Sequence, residues 1–408
     1  RDARIERIWY TGHRVTDRAV LEQLTEVKVG DLYRESEVQA TVQSMRRSGL
    51  FRRVEAHAEP GARPGTAYVS FHVDEREPIG FDVGSQRLIL RNVDLTRWPE
   101  DWDDFEHGPA LRGGGQRLDI YGQTNRQGIE WRNPFVARHV LAQVRVNRFD
   151  TAGDTYEDVF YQLFAGLGAK ALANRFVALP FVQAEWVFAS QDDAGPPLPI
   201  LDTDAFTVAG GLQVSLDANQ LDDERIPYLG FDVSGLALGG GAVDADLRWI
   251  EYSTEARVHL PLWTTAREQH WVLRLRAAMS QAFEIDGSLP PHRRFFPEAR
   301  GYTGTALGVV FDRGALDEKL GSTGAVEGSA ELRVPLPVGR RNAVVPFVDV
   351  IGVSPDTRGL LDDLYPAAGA LLTLSLFDER LEFSIWGAWP LRDEISARYV
   401  GASLGGGF

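Results

Sequence analysis

From residue 79 onward, apolar and polar residues take turns. The clearest run is 250–260. Ile250, Tyr252, Ala256, Val258 and Leu260 hold one parity, while Glu251, Ser253, Glu255, Arg257 and His259 hold the other. A period of two sends alternate side chains to opposite faces of a strand. The same alternation sets Leu118, Ile120 and Gly122 against Arg117 and Asp119, and Ile129 and Trp131 against Glu130 and Arg132. It sets Val140, Ala142, Val144 and Val146 against Gln143, Arg145 and Asn147. It returns at 271–280 and 326–334. Gly, Asp, Asn and Pro punctuate the runs, and no convincing helix is predicted in this part; glycines 239–241 read as a turn. In a soluble sandwich the apolar faces would need a second sheet. In a barrel crossing a bilayer they face lipid, and the charged rows line a wet lumen. Counting the segments gives about sixteen, the even number that bacterial single-chain barrels require.

Residues 1–78 follow another pattern. Ile5, Ile8 and Tyr10 alternate in a short strand. Thr16 or Asp17 is placed to cap a helix carrying Val20, Leu21 and Leu24. Gly30 breaks the chain. Ser36 then opens a second helix, with Val38, Val42 and Met45 at helical spacing and Gly49 at its end. Strands are predicted over 52–59 and 67–74, joined by Pro60-Gly61-Ala62-Arg63-Pro64-Gly65. The order is β-α-α-β-β, a small α+β domain.

Composition narrows the setting. A chain of 408 residues suits a large barrel plus a module. No window approaches 18 uncharged apolar residues, which excludes a spanning helix but not spanning strands of about 9–11 residues. The 41 glycines and 10 tryptophans suit tight turns and interfacial aromatic girdles. The absence of cysteine excludes a disulfide scaffold and thiolate metal sites. A net charge of −15 argues against general nucleic-acid affinity. Arg1 is not an initiator residue and no signal peptide stands before it, so the chain is expected to be mature or trimmed at its amino end.

One stretch stands apart: Arg293-Arg294-Phe295-Phe296-Pro297-Glu298-Ala299-Arg300-Gly301-Tyr302. It separates two strictly alternating segments, is too long for a hairpin turn, and has about five strand-like segments after it. It resembles the sixth extracellular loop of the BamA/TamA superfamily of outer-membrane assembly barrels. There an Arg-Gly-aromatic tip folds back into the barrel, and its Arg meets a carboxylate on the inner wall. The resemblance implies loop six at about 286–323, with Arg300, Gly301 and Tyr302 as its motif. Phe347-Val348-Asp349 resembles the family's Phe-x-Asp on the thirteenth strand; the Gly that should follow is displaced by one residue, to Gly352. Asp349 is thereby the first candidate partner of Arg300 and Glu331 the second, with Phe347 beside them. Residues 1–78 resemble a polypeptide-transport-associated (POTRA) domain through Gly12-His13-Arg14-Val15-Thr16, Val29-Gly30-Asp31, Ser48-Gly49-Leu50-Phe51 and Phe71-His72-Val73-Asp74-Glu75. Asn133-Pro134-Phe135 occurs at a similar place in the resembling barrels. Val400, Leu404 and Phe408 resemble the C-terminal signal of outer-membrane proteins, with Gly406 where an aromatic is usual.

The fold class this implies is a mainly β protein: a transmembrane antiparallel barrel of sixteen strands over 79–408, preceded by a periplasmic POTRA domain over 1–78. The implied function is insertion or translocation of other proteins at the bacterial outer membrane. The first and last strands would form a weak lateral seam, since glycines 401, 405, 406 and 407 strip side chains from the last. The implied partners are unfolded outer-membrane or exported clients, the bilayer with its lipopolysaccharide, and periplasmic or lipoprotein accessory subunits, with no nucleic acid. A second expectation is an exporter of one dedicated passenger, including an enzyme domain once fused upstream. A third is a passive porin or structural barrel, against which the POTRA pattern argues.

A loop at 94–115 carries Trp98 and Trp102 among acidic residues. With first strands at 81–84 and 87–93, strand parity puts it on the POTRA side. The tryptophans suit headgroup level, or a docking site for a partner. Candidate chemistry is otherwise sparse, and the chain is not expected to be an enzyme or to carry a cofactor or metal. Gly401-Ala402-Ser403-Leu404-Gly405 has the hydrolase nucleophile spacing, but no acid or His follows. The eight histidines show no ligand spacing. Gly113-Gly114-Gly115 precedes a strand, so it is no phosphate cradle.

Overall fold

The computed structural model describes residues 3–82, 86–94, 113–123, 125–152, 156–172, 174–191, 204–221, 226–265, 269–295, 301–302, 310–312, 317–319, 322–337, 339, 341–354, 361, 364–376, 381–392, 397–398 and 400–406. The amino-terminal part runs β1 (Arg4–Thr11), α1 (Arg18–Leu24), α2 (Glu35–Arg47), β2 (Phe51–Pro60) and β3 (Thr66–Glu75). Its sheet has the order β1-β3-β2, with β1 parallel and β2 antiparallel to β3. Both helices lie on one face. Leu21, Val38, Val42 and Met45 are buried against Val54, Val69, Phe71 and Val73, and each such side chain contributes roughly 1.5–3 kcal/mol. Helix α2 begins at Glu35, one residue before the Ser36 expected to open it. Its cap position, Arg34, makes no side-chain cap bond, and Glu35 and Glu37 in the first turn favour the positive helix end instead. The helix stops where Gly49 takes a φ of +79°, which a residue with a Cβ rarely adopts.

The remainder is a barrel. Its strands are β4 (Ile79–Asp82), β5 (Arg87–Val93), β6 (Gln116–Gln123), β7 (Arg126–Ala137), β8 (Val140–Ala152), β9 (Tyr156–Ala171), β10 (Phe176–Gln191), β11 (Ala205–Asp217), β12 (Gln220–Leu221), β13 (Pro227–Ala242), β14 (Arg248–Thr264) and β15 (His270–Asp286). Short pieces follow in the long connection: β16 (Gly301–Tyr302), β17 (Val310–Asp312) and β18 (Asp317–Lys319). The wall resumes with β19 (Gly324–Pro335), β20 (Ala343–Ser354), β21 (Leu364–Leu376) and β22 (Leu381–Pro390). The two-residue β23 (Ala397–Arg398) precedes the final β24 (Val400–Gly406). The ring closes through β24 and β4. Among the described residues it comprises 17 strands, one of them the two-residue β12 at the edge of the direct β11–β13 ladder, which leaves sixteen staves. Closure removes the unpaired edges that an open sheet would present.

The alternation translates directly into two faces. On β14, Ile250, Val258 and Leu260 are exposed on the outer side. Glu255 and His259 turn inward, the first bonded to Arg276 and the second buried against Asn219. Glycines 239–241 correct the expected turn: they lie inside β13, opposite Ile250, Trp249 and Arg248. A Cβ on Gly240 would stand 2.8 Å from the ring of Trp249, which is 1% exposed. The glycine makes room for the indole, a packing need that composition alone reads as a bend.

The helical domain sits at one rim. Asn92 Nδ2 donates to Thr16 Oγ1 at 2.7 Å, and Asp17 N donates to Gly113 O at 3.0 Å. Arg138, Asn174 and Arg46 bond across to Thr25 O, Ser44 Oγ and Leu221 O. Phe135, from the Asn-Pro-Phe tripeptide, packs against the helical core. The ends of the 94–115 loop therefore lie on this rim, as strand parity requires. Trp98 and Trp102 fall outside the described residues.

Candidate functional site: a loop anchored in the lumen

The connection from β15 to β19 turns inward. Its first residues form a single 3-10 turn, Pro291–Arg293. His292 Nδ1 lies 2.7 Å from Asp158 Oδ2, and the His292 backbone N donates to the same oxygen at 3.0 Å. Its Nε2 stands 3.5 Å from Glu185 Oε2. Arg293 Nη2 donates to Glu185 at 2.6 Å and Nη1 donates to Glu251 at 3.3 Å. One guanidinium thus bridges β10 and β14, as a planar fork can. The Arg293 and Glu185 side chains are 9% and 2% exposed.

Ring contacts frame these charges. His292 stacks on Phe160 with centroids 3.9 Å apart, and Phe160 stacks on Phe149. The Arg293 guanidinium stands 5.1 Å from the Trp249 ring, in cation–π range. Glu185 is further satisfied by Gln162 Nε2 at 2.8 Å and Thr207 Oγ1 at 3.3 Å. Arg294 reaches Glu284, and Phe295 and Ser322 exchange backbone bonds of 2.7 and 2.9 Å. Both ends of the connection are therefore tied to the wall. Sequence reasoning singled out the stretch that Arg293 opens but gave the anchoring role to Arg300, assigned none to Arg293 and left out His292. A signal was available: Glu185 and Glu251 sit on inward parities of their strands, facing a basic pair that opens the loop.

Farther along, Gly301–Tyr302 pairs antiparallel with Ala397–Arg398, beside β21 and β22. Arg300 lies outside the described residues. Asp349 and Phe347 are buried on the inner face of β20, with Val348 exposed on the other. Asp349 Oδ1 accepts from Ser329 Oγ at 2.7 Å, and the Phe347 ring reaches Gly369. Glu331 pairs with Arg274 at 3.0 Å, and Arg276 bridges Glu255 and Glu327 at 2.8 and 2.7 Å. At the C-terminus Val400 is exposed on the outer face. Leu404 lies in β24, opposite Phe383. Phe408 is outside the described residues.

The ring is least built where it closes. Strand β4 has 4 residues and β24 has 7, whereas β14 and β15 have 17 each. On β24, Gly401 lies against the Trp386 ring, where a Cβ would collide.

Comparison with known proteins agrees with this architecture. The family described as "POTRA: Surface antigen variable number repeat" matches residues 3–76. BamA from Haemophilus ducreyi, in a crystal structure lacking POTRA domains 1–3, superposes with a TM-score of 0.58 at 14% identity, covering 98% of this chain and 84% of that one. CdiB from Acinetobacter baumannii gives a TM-score of 0.54 at 13% identity, covering 99% and 74%. CdiB from Escherichia coli gives 0.56 at 12% identity, covering 99% and 76%. A search of curated proteins by sequence gave no match. In fold the chain is similar to BamA and CdiB. It joins a POTRA domain to an antiparallel barrel with the fold that BamA and CdiB share.

Proposed function

We propose that this protein moves other polypeptides into or across the bacterial outer membrane, with residues 1–78 in the periplasm and the barrel from residue 79 in the bilayer. The observation that carries the reading is the closure of the ring. A four-residue strand meets a glycine-containing one at β4 and β24, while the opposite wall is built of strands of up to 17 residues. No nucleotide is at hand in that compartment, so the work comes from binding, strand pairing and local disturbance of lipid. Short ladders open at the least cost, and an opened edge offers backbone groups to an incoming strand.

The loop supports this reading at both of its ends: His292 and Arg293 brace the far wall at β9, β10 and β14, and the tip lies on the flank of the closure. Arg300 engages Asp349, with Glu331 as the alternate carboxylate. Asp349 is buried on the inner wall, and Gly301–Tyr302 runs beside β21, the strand that pairs with Asp349's own. Insertion is favoured over export of one dedicated passenger because a lateral seam serves strands entering lipid.

The test uses cysteine pairs, one residue from 79–82 and one from 402–405, in this cysteine-free chain. Liposomes holding the parent should speed the folding of an unfolded barrel client. Oxidation of a seam pair should abolish the gain, and reduction should restore it. Full activity of the cross-linked protein would refute the seam. Release of one passenger without any effect on barrel clients would favour the exporter.

A further inference from the structure

A cavity of about 460 Å³ lies where the end of α2 meets the inner wall of the barrel. Five arginines border it: Arg47 from α2, Arg91, Arg117 and Arg132 from β5, β6 and β7, and Arg145 from β8. No carboxylate borders it among the described residues. Two of the five are held from behind. Asp119 accepts from Arg117 at 2.8 Å. Glu130 pairs with Arg132 and also accepts from Tyr121 and Gln143, both at 3.0 Å. The other three have no ion pair within 4 Å among the described residues. Arg47 donates through Nη1 to Asn219 O, while its Nε and Nη2 are buried with no hydrogen-bond partner. Arg91 is 9% exposed, and its guanidinium donates to the Glu77 carbonyl at 3.2 Å. Arg145 lies over the Phe164 ring at 4.6 Å, and its Nε donates to the Asn147 side-chain oxygen at 3.2 Å. Burying guanidinium donors without acceptors, as Arg47 Nε and Nη2 are, is costly, and five guanidinium groups border one space with no carboxylate among the described residues that line it, so the arrangement is matched to a ligand that supplies oxyanions.

We infer that this cavity binds an acidic segment of extended polypeptide on its way from the POTRA domain to the lumen. The inference rests on the proposed role in polypeptide movement. Guanidinium forks match carboxylates two donors at a time. Leu50, Leu141 and Leu179 border the same space, which suits the apolar residues of an alternating chain. The volume falls in the range of ligand pockets, ~300–1,000 Å³, and far exceeds one inorganic oxyanion. A lipid phosphate is the lesser fit: Arg145 and Gln143 face the cavity while Val144 and Val146 of the same strand face outward. A headgroup would have to leave the bilayer to reach it.

The test is fluorescence anisotropy on the full chain in phosphate-free detergent micelles. The probe is a fluorescein-labelled ten-residue peptide of alternating Asp and Leu, with Asn/Leu and Lys/Leu peptides as controls. The acidic peptide alone should bind, more weakly as salt is raised. Arg91→Gln and Arg145→Gln should each weaken it at least tenfold, and Arg145→Lys by less. Arg257→Gln, on the lumen wall away from the cavity, should bind as the parent does. Strand circular dichroism and the gel shift on heating verify the fold of each variant; if a glutamine variant does not fold, the Arg→Lys pair at 91 and 145 decides by the same ranking. Parent-like binding by the folded double glutamine variant would overturn the inference. So would displacement of the peptide by inorganic phosphate, or by phosphatidylglycerol micelles, below the concentration at which unlabelled peptide displaces it. The two readings fail separately. Arginine-dependent peptide binding by a protein that moves no client would leave the site standing and remove the transport role. Client movement with arginine-independent peptide binding would do the reverse.

Discussion

Two sides of the ring differ in construction. On the β13–β15 side, the ladder between β14 and β15 runs from Arg248↔Asp286 to Thr264↔His270. Its inner face is cross-tied by Arg276 and by Arg293, which joins β10 to β14. On the other side, β4 meets β5 only from Ile79↔Leu90 to Asp82↔Arg87. Beyond it, β24 carries glycines 401 and 405 where side chains would pack. A ladder hydrogen bond contributes roughly 0.5–1.5 kcal/mol net, so a four-residue strand is far cheaper to release than one of 17. The longer ladders lie away from the closure between β24 and β4, and the proposed seam rests on that contrast.

The largest test of this contrast removes the tie across the strong wall. Arg293→Ala leaves Glu185, 2% exposed, without its guanidinium, and losing one member of a buried pair costs about 3–5 kcal/mol. Urea unfolding of the barrel in lipid vesicles should show it, with Phe295 becoming accessible to protease. Glu185→Gln should cost less, since an amide still accepts from Arg293. An unchanged midpoint for Arg293→Ala would mean that the ladders alone hold this wall.

Next in size, Ala256→Arg places a charge on the outer face of β14. Near the bilayer midplane it should destabilise by roughly 2–4 kcal/mol, whereas Glu255 to Cys on the inner face should label from water rather than lipid. Labelling of Ala256→Cys from water would reverse the assigned faces.

Hydrogen exchange sharpens the comparison without mutation. Amides of 250–258 should exchange only with global unfolding, and those of 79–82 and 400–406 through cheaper local openings. Equal protection on both sides would remove the physical basis for a seam.

The smallest effect lies outside the ring. Glu75 accepts from the backbone N–H groups of Arg14, Val15 and Thr16 at 2.7–3.2 Å. Burial pushes its carboxyl up, but these bonds outweigh burial and hold it below the usual carboxylate value of 4.5. The bonds therefore stabilise the domain fully above pH 4.5, and that stability is lost as the pH falls through the lowered value. Residues 1–78 expressed alone should melt cooperatively. Glu75→Gln should cost about 1 kcal/mol at pH 7, since the site is half-buried, and should flatten the acid limb of the stability curve. A pH profile unchanged by the substitution would assign the acid sensitivity elsewhere.

What the sequence by itself determined is whatever a local period encodes. Alternation at 250–260 set the two faces of β14, because a one-residue slip would turn every charge outward. Helical spacing of Val38, Val42 and Met45 set the buried face of α2, and Gly49 set its end. Gly-Asp-Pro punctuation gave the number of staves. Other features were decided only when distant segments met. Glycines 239–241 became strand because Trp249, on the neighbouring stave, needs the space over Gly240. His292 and Arg293 became an anchor because β9, β10 and β14 bring Asp158, Glu185 and Glu251 to one point. Arg47 joined Arg91 and Arg145 around one cavity because the helical domain docks on the rim where β5 to β8 end. Local period fixes which way a side chain points; which partner it finds depends on barrel closure, which joins residues more than a hundred positions apart.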